Sequence, residues 1–261
     1  MGLQVYTTML EKQIREQIIS LINREVVPAV GCTEPMCVSL CVAKATETLG
    51  CRPEKITALL SANILKNAMG VGIPGTGMIG LPIAIALGAL VGKSEYQLEV
   101  IKDLTRETLE EGKQYVSEDH IDIKLKQGIT EKLYVEIRCE AQGHEATAII
   151  AHSHTNIVYV ERDGNAILDR RTPQAGAAEQ KDIQLNMRMV YDFAMTTPEE
   201  EISFILKTRD YNIRAAEESK KANYGHCLGK TIDRPLSHGI FGNSIFSHII
   251  SKTASACDAR M

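Results

Sequence analysis

The sequence predicts an α+β protein: a mostly helical body with an inserted small antiparallel β-meander subdomain packed on helices. Two observations predict this class. Apolar residues recur at helical spacing towards both ends of the chain, whereas residues 121–161 alternate apolar and polar side chains between turn residues. With 261 residues, 44% of them hydrophobic, the chain is long enough to bury a substantial core.

The first third of the chain indicates helices arranged around turns. Isoleucines and leucines at helical spacing predict an amphipathic helix over residues 9–26, and a nearly all-apolar stretch predicts a buried helix over 36–49 that ends at Gly50. Further along, we predict a strand over 56–65, a glycine-rich turn over 70–80 and a buried helix over 82–91.

The middle third changes character. A charged amphipathic helix is predicted over 96–115, and period-two alternation then predicts strands over 121–126, 133–139, 147–150 and 156–161. Turns are predicted at Gly143 and at Asp163-Gly164, and Asp169 is interpreted as a further turn residue.

Helical periodicity returns in the last third. Residues 183–190 favour a helix, Thr197-Pro198 predicts a helix start with Thr197 as the N-cap, and a final apolar helix is predicted over 240–257. These elements suggest three parts: residues 1–94, 95–195 and 196–261. The last part ends without capping residues, so we expect it to be truncated within a structural element.

Composition narrows the function classes. The net charge is −4 with both signs dispersed, which does not fit a nucleic-acid-binding surface. No apolar stretch reaches the roughly 20 residues of a membrane span, and no signal peptide is evident. Seven cysteines at irregular spacing favour a reducing compartment over a disulfide framework. We therefore expect a cytoplasmic protein without membrane or nucleic-acid partners.

The most informative motif is Gly31-Cys32-Thr33-Glu34-Pro35, which stands where the second helix should begin. Thr33 or Glu34 can cap the first turn, and Pro35 is tolerated there because early helical N–H groups lack partners. A cysteine at this place feels the positive end of the helix and tends towards thiolate. Cys32 is therefore a candidate nucleophile, base or iron ligand; the alternative is a small buried residue in a tight turn.

Three other patterns permit more than one interpretation. Gly75-Thr76-Gly77-Met78-Ile79-Gly80 matches a dinucleotide-binding pattern but lacks the following strand and acid, so it is either a structural turn or an anion-holding one. Cys37 and Cys41 share a helix face, but their apolar surroundings favour packing over metal binding. His152 and His154 are predicted to face one side of a strand, where they are polar residues or metal ligands.

Three segments together resemble the L-cysteine desulfidase family, which is similar to the alpha chain of iron–sulfur L-serine dehydratases. They are Val27–Pro35, Asn63–Gly77 and Ser255–Met261. The resemblance implies a cytoplasmic lyase that converts L-cysteine or L-serine into pyruvate, ammonia and sulfide or water. It also implies a 4Fe–4S cluster with one open iron.

The resemblance also implies roles for particular residues. Cys32, with Thr33 and Glu34, would be catalytic, and Cys32 would act as the base or as a ligand to the open iron. The implied amino-acid pocket comprises Asn63, Lys66, Asn67, Gly75, Thr76 and Gly77.

One departure from the family pattern limits this expectation. The family continues into a helical C-terminal segment that holds the cluster cysteines, so we expect those ligands beyond residue 261 and no cluster on this truncated chain. Cys257 takes no ligand role. A truncated gene product, an engineered fragment or one chain of a two-chain enzyme would each explain the ending.

The sequence also permits two other functions and predicts that the chain self-associates. The chain can be a non-catalytic module that binds a small amino acid or a partner, or a thiol redox protein acting through Cys32. The final helix should leave Ile245, Phe246, Ile249 and Ile250 partly exposed, which predicts a homodimer or other self-association.

Overall fold

The computed structural model describes residues 7–171, 183–234 and 244–259. The chain forms two compact units: Met1–Val27 with Ala175–Arg214, and Pro28–Gln174 with Ala215–Met261. These units do not follow the three predicted parts, because each is assembled from segments that are distant in the sequence.

The fold is α+β, as the sequence predicts. Its helices are α1 Lys12–Glu25, α2 Thr33–Leu49, α3 Ala62–Ala68, α4 Leu81–Leu90, α5 Arg106–Ser117, α6 Met187–Thr196, α7 Glu199–Ile202, α8 Leu206–Lys221, α9 Leu228–Asp233 and α10 Ile245–Asp258. The strands are β1 Lys55–Leu60, β2 Gly72–Ile73, β3 Met78–Ile79, β4 Ile121–Leu125, β5 Tyr134–Ala141, β6 His144–Ala151, β7 Ile157–Arg162 and β8 Asn165–Asp169. No helix in the described parts is long and apolar enough to cross a membrane.

The first unit contains α1, α6, α7 and the first residues of α8. Arg15 is nearly buried and forms a bidentate ion pair, in which Nε and Nη2 donate to Glu201 at 2.9 and 2.7 Å. Its Nη1 also donates to the carbonyl of Leu10 at 2.7 Å. One guanidinium therefore ties α1, the residues before it and α7 together.

The second unit is built around a six-stranded sheet with the order β4-β1-β5-β6-β7-β8. β1 pairs parallel with β4 and antiparallel with β5, and the remaining neighbours pair antiparallel. The predicted antiparallel meander is confirmed for β5 to β7 and is extended by β8. The expectation that β4 belongs to it is wrong, because β1 from the N-terminal third lies between β4 and β5 and pairs parallel with β4. Asp169, interpreted from the sequence as a turn residue, ends β8.

The core of the second unit lies between the sheet and two apolar helices. The side chains of Val135, Ile137 and Cys139 alternate along β5 towards this core, and α2 packs against the same strands. α4 crosses α2 so closely that a Cβ at Gly88 would lie 2.6 Å from the carbonyl oxygen of Ser39. Glycine is therefore required at this crossing.

Three predicted elements differ from the structure. The predicted strand over 56–65 ends at Leu60, because the hydroxyl of Ser61 accepts the N–H of Ile64 at 3.4 Å and begins α3. The predicted helix over 96–115 is a 3-10 segment, Ser94–Glu99, followed by α5, which starts at the reciprocal cap between Thr105 and Thr108. Pro198, and not Thr197, is the N-cap of α7.

The last two helices of the second unit pack through small residues. A Cβ at Gly229 would meet Ser255 Oγ at 2.0 Å, so α9 and α10 are in backbone contact there. Asp258 is 3% exposed and accepts the N–H of Gly229 at 2.8 Å. The predicted final helix is confirmed over the described residues, while residues 240–243 and 260–261 lie outside them.

Candidate functional site

Cys32 is the N-cap residue of α2. Its backbone is extended (φ −72°, ψ 137°) and follows Gly31, which has a φ of +80°. Cys32 is an exposed residue whose sulfur is partly screened from solvent by its neighbours, so the alternative that it is a small buried residue is wrong. The turn therefore presents the thiol at the start of a buried helix.

Glu34 is the centre of the contacts around this thiol. Cys32 Sγ lies 3.7 Å from Glu34 Oε2, and the Thr33 hydroxyl donates to the same oxygen at 3.1 Å. Asn67 Nδ2 on α3 donates to Glu34 Oε1 at 3.2 Å. One carboxylate thus joins the Cys-Thr-Glu-Pro turn to the Asn63–Gly77 segment.

The surroundings keep Glu34 ionised. Burial opposes its ionisation, but hydrogen bonds with its own backbone amide, Asn67 and Thr33, together with the nearby His154, outweigh burial and lower the pKa of Glu34. A carboxylate at the first turn of a helix is also favoured by the helix dipole.

The same surroundings keep Cys32 protonated, and the prediction of a thiolate is wrong. Partial burial raises the pKa of the Cys32 thiol, and the charge of Glu34 and its hydrogen bond raise it further. The amides of Thr33 and Glu34 lower this pKa, as the helix start predicts, but they are outweighed. The charge of the carboxylate two residues away therefore outweighs the helix dipole at this sulfur.

The other predicted pocket residues on α3 face solvent. Asn63 and Lys66 are exposed, and their side chains form no hydrogen bond or ion pair with the described residues. The cap that begins α3 also anchors it, because the Ser61 hydroxyl donates to the carbonyl of Lys132 at 2.8 Å. α3 therefore presents Asn67 to Glu34 and leaves Lys66 one residue away with free donors.

The glycine-rich segment forms a tight hairpin between β2 and β3. The Thr76 hydroxyl donates to the carbonyl of Ile73 at 2.6 Å and accepts the N–H of Met78 at 2.9 Å, so it is used within the turn. Gly75 and Gly77 are exposed at φ +77° and +66°, which only glycine adopts easily. This is the structural turn that the sequence allowed, and it joins the two strands of a separate two-stranded sheet within the connection between the parallel strands β1 and β4.

His154 is a site residue that the sequence analysis weighed only as a polar or metal-binding histidine. It lies in the turn between β6 and β7, near enough for its electrostatic effect to lower the pKa of Glu34. His152 precedes it at φ +71°, so the two histidines do not follow strand alternation and the same-side prediction is wrong. Sequence spacing could not reveal this neighbour, because it depends on the packing of the sheet on α2.

The described residues do not fit an iron–sulfur cluster by themselves. A 4Fe–4S cluster is held by several convergent thiolates. Cys37 and Cys41 are fully buried, and Cys41 Sγ donates to the carbonyl of Ala148 at 3.3 Å. Burial raises the pKa of both thiols far above the ordinary range. In the described parts, no three His, Cys, Asp or Glu side chains converge as metal ligands.

Comparisons with known proteins place this chain beside longer bacterial relatives. It is 60% identical over 247 residues to a UPF0597 protein of Bacteroides fragilis and 62% identical over 254 residues to one of Phocaeicola vulgatus. A UPF0597 protein of Chromobacterium violaceum is 39% identical over 257 residues. These matches cover 95–97% of this chain but only 58–59% of each relative.

These names state no reaction and no ligand. No family model matches the chain, and no solved structure matches it. The chain is therefore similar to the UPF0597 proteins and spans a little under three fifths of their length.

Proposed function

We propose that this chain supplies amino-acid-binding and proton-transfer residues of a lyase that eliminates the β-substituent of L-cysteine or L-serine. The observation that supports the proposal is the contact of Cys32, Glu34 and Asn67 around one carboxylate. These residues come from two of the three segments that resemble the desulfidase family. A protonated thiol beside an ionised carboxylate is also a proton donor beside a proton acceptor.

The protonation states assign the two roles. Glu34, as a carboxylate, takes the α-proton of the substrate, and the Cα–H electron pair forms the new Cα–Cβ double bond. The bond from Cβ to sulfur or oxygen breaks, and the leaving group takes the proton of the Cys32 thiol to depart as hydrogen sulfide or water. The proton then passes from Glu34 to the Cys32 thiolate, which restores both groups.

The product of this step needs no further group from the protein. Aminoacrylate tautomerises to an imine, gaining a proton at its terminal carbon and losing one from its nitrogen, and water hydrolyses the imine to pyruvate and ammonia. Cys32 acts in this scheme as an acid, in accordance with its raised pKa. This replaces the role as a base that the resemblance implied for it.

Lys66 and Asn67 would bind the substrate carboxylate and amine. Lys66 has a free ammonium on an exposed face of α3, and an ammonium attracts an α-carboxylate by charge. The hydroxyl of Thr33 orients Glu34, to which it donates. Because the described residues do not fit a 4Fe–4S cluster, we derive no step through one.

The test uses this chain and the full-length Bacteroides fragilis relative in parallel. Each is treated anaerobically with iron and sulfide and then given L-cysteine or L-serine, and pyruvate release is measured. Binding of each amino acid to this chain is measured by calorimetry. The variants are Cys32→Ala and Glu34→Gln, with Cys257→Ser as the matched control at an exposed cysteine on α10.

We expect the longer relative to release pyruvate. Substitution of its counterparts of Cys32 or Glu34 should lower the rate of pyruvate release about 100-fold or more. Absence of pyruvate release in both proteins would overturn the lyase. If this chain then binds L-serine or L-cysteine and Lys66→Glu abolishes that binding, the non-catalytic amino-acid-binding module is the function.

The proposed function also indicates the cellular compartment. A lyase that uses free thiols requires a reducing compartment, and the seven cysteines are all unpaired. We therefore propose a cytoplasmic location. Its small-molecule partner is the amino-acid substrate.

A further inference from the structure

A second concave surface lies beside the glycine-rich hairpin and contains none of Cys32, Glu34 and Asn67. It is a groove of about 500 Å³ between the hairpin, the segment before α5 and the first turn of α5. Its walls include Val30, Ile101, Leu104 and Leu109, and Gly75 forms part of its rim. A volume of this size is typical of small-molecule sites.

Two cations, Lys102 and Arg106, line this apolar groove. Both side chains are exposed, and Arg106 forms no ion pair or hydrogen bond with the residues that the structure describes. Lys102 Nζ lies 3.5 Å from the centre of the Tyr96 ring, a contact that leaves its N–H donors available. Among the described lining residues there is no carboxylate.

The nearest acidic residues along the chain have other partners. Asp103 is ion-paired with Lys93 at 2.7 Å, and Glu107 accepts hydrogen bonds from its own backbone amide and from Thr105 at the start of α5. The positive charge at the groove is therefore not neutralised from within. The dipole of the 12-residue helix α5 adds to it in the same sense.

We propose that this groove binds a small amphipathic carboxylate, with its carboxylate at Arg106 and Lys102 and its hydrocarbon part against Val30, Leu104 and Leu109. A guanidinium matches the two oxygens of a carboxylate in charge and geometry. The apolar walls favour a hydrocarbon tail over a strongly hydrated inorganic anion. The groove shares Gly75 with the amino-acid pocket that the resemblance implies but contains none of Cys32, Glu34 and Asn67, and the proposal does not depend on the lyase.

The probes are acetate, butanoate and hexanoate, titrated into the full chain at constant ionic strength and followed by ligand-observed NMR. Burial of a methylene is worth about 0.8 kcal/mol, so each added methylene should raise the affinity about two- to fourfold. Hexylamine and inorganic phosphate are the comparison ligands, because one has the tail without the anion and the other has the anion without the tail.

The variants separate the groove from general charge effects. Arg106→Gln/Lys102→Gln should weaken hexanoate binding about tenfold. Lys220→Gln/Lys252→Gln also removes two positive charges, but from exposed positions on α8 and α10, and should leave hexanoate binding unchanged. Circular dichroism verifies that all variants remain folded.

Three results would overturn the proposal. They are equal binding of hexylamine and hexanoate, no dependence on chain length, and equal loss in the two double variants. Cys32→Ala must retain hexanoate binding, because a loss there would place the carboxylate at the proposed lyase centre. Failure of the lyase would leave this titration unaffected, so the two proposals fail separately.

Discussion

Cys32 and Asn67 contact opposite oxygens of one carboxylate, that of Glu34: the Cys32 sulfur lies 3.7 Å from Oε2 and the Asn67 amide nitrogen 3.2 Å from Oε1. This relationship changes the chemistry expected of the Cys-Thr-Glu-Pro motif. The amides at the start of α2 favour a thiolate, but the carboxylate beside the sulfur and its partial burial favour the thiol. The motif therefore encodes a proton donor next to a proton acceptor.

Glu34→Gln should make Cys32 more reactive. The substitution removes the negative charge and the acceptor that raise the pKa of the thiol, so the thiolate fraction at pH 8 rises. We expect alkylation of Cys32 by iodoacetamide to accelerate about threefold or more. Peptide-resolved mass spectrometry measures the rate, with exposed Cys257 as the internal reference. Slower alkylation of Cys32 in the variant would contradict the assigned protonation states.

Acid should destabilise the protein through Glu136. Its side chain is 3% exposed, and it accepts from Lys126 at 2.5 Å, Arg138 at 2.6 Å and the Tyr134 hydroxyl at 2.8 Å. Burial opposes ionisation, but these three donors outweigh it and lower the pKa of Glu136. Because the folded pKa lies below the unfolded one, the stabilisation is complete above the unfolded pKa and is lost as pH falls through the folded pKa.

Glu136→Gln tests this dependence. We expect the free energy of unfolding of the variant at pH 7, measured by urea denaturation, to be about 1–3 kcal/mol lower than that of the wild type. The reason is that the substitution weakens the hydrogen bonds of Lys126 and Arg138. Between about pH 5 and pH 3 its stability should change less than that of the wild type. Glu217→Gln, at an exposed position on α8, should follow the wild-type curve. Parallel pH curves for wild type and Glu136→Gln would refute the assignment.

Gly88→Ala should destabilise the second unit. The added Cβ would lie 2.6 Å from the Ser39 carbonyl oxygen and 2.9 Å from its hydroxyl oxygen, so α2 and α4 would have to separate. Overpacking of this kind costs about 1–3 kcal/mol. Gly70→Ala is the matched control, since its Cβ would meet nothing within 4 Å. Denaturant midpoints measure both, and equal stability of the two variants would show that the helices can move apart freely.

Much of this fold could be predicted because its signals are local. The C-cap glycine of α2 is in the left-handed conformation at φ +85°, as expected for Gly50. The alternation that predicts β4 to β7 is visible in their sequences. The place of β1 between β4 and β5 could not be predicted in this way, since it depends on pairing with strands more than 60 residues away.

The candidate site shows the same division. The helix start at Cys32 and the neighbouring Asn67 segment were apparent as motifs, and the structure joins them at Glu34. The approach of His154 and the raised pKa of Cys32 depend on packing distances, which spacing along a sequence does not contain. The groove at Arg106 was missed for a related reason: Lys102, Leu104, Arg106 and Leu109 lie in a stretch predicted as one continuous helix, and Val30 and Gly75 come from distant parts of the sequence.

The exposed face of α10 predicts self-association. Ile245, Phe246 and Ile249 are 80%, 68% and 57% exposed, whereas the opposite face of the helix buries Ser251 and Ser255 against α9. A contiguous apolar patch on a helix favours a symmetric contact with a second copy. We expect dimers by analytical ultracentrifugation at high micromolar concentration, and monomers for Phe246→Asp/Ile249→Asp. Ile167→Asp, at a 66% exposed isoleucine on the edge strand β8, should remain dimeric. A monomeric wild type would contradict an interface at α10. So would loss of the dimer in Ile167→Asp but not in Phe246→Asp/Ile249→Asp.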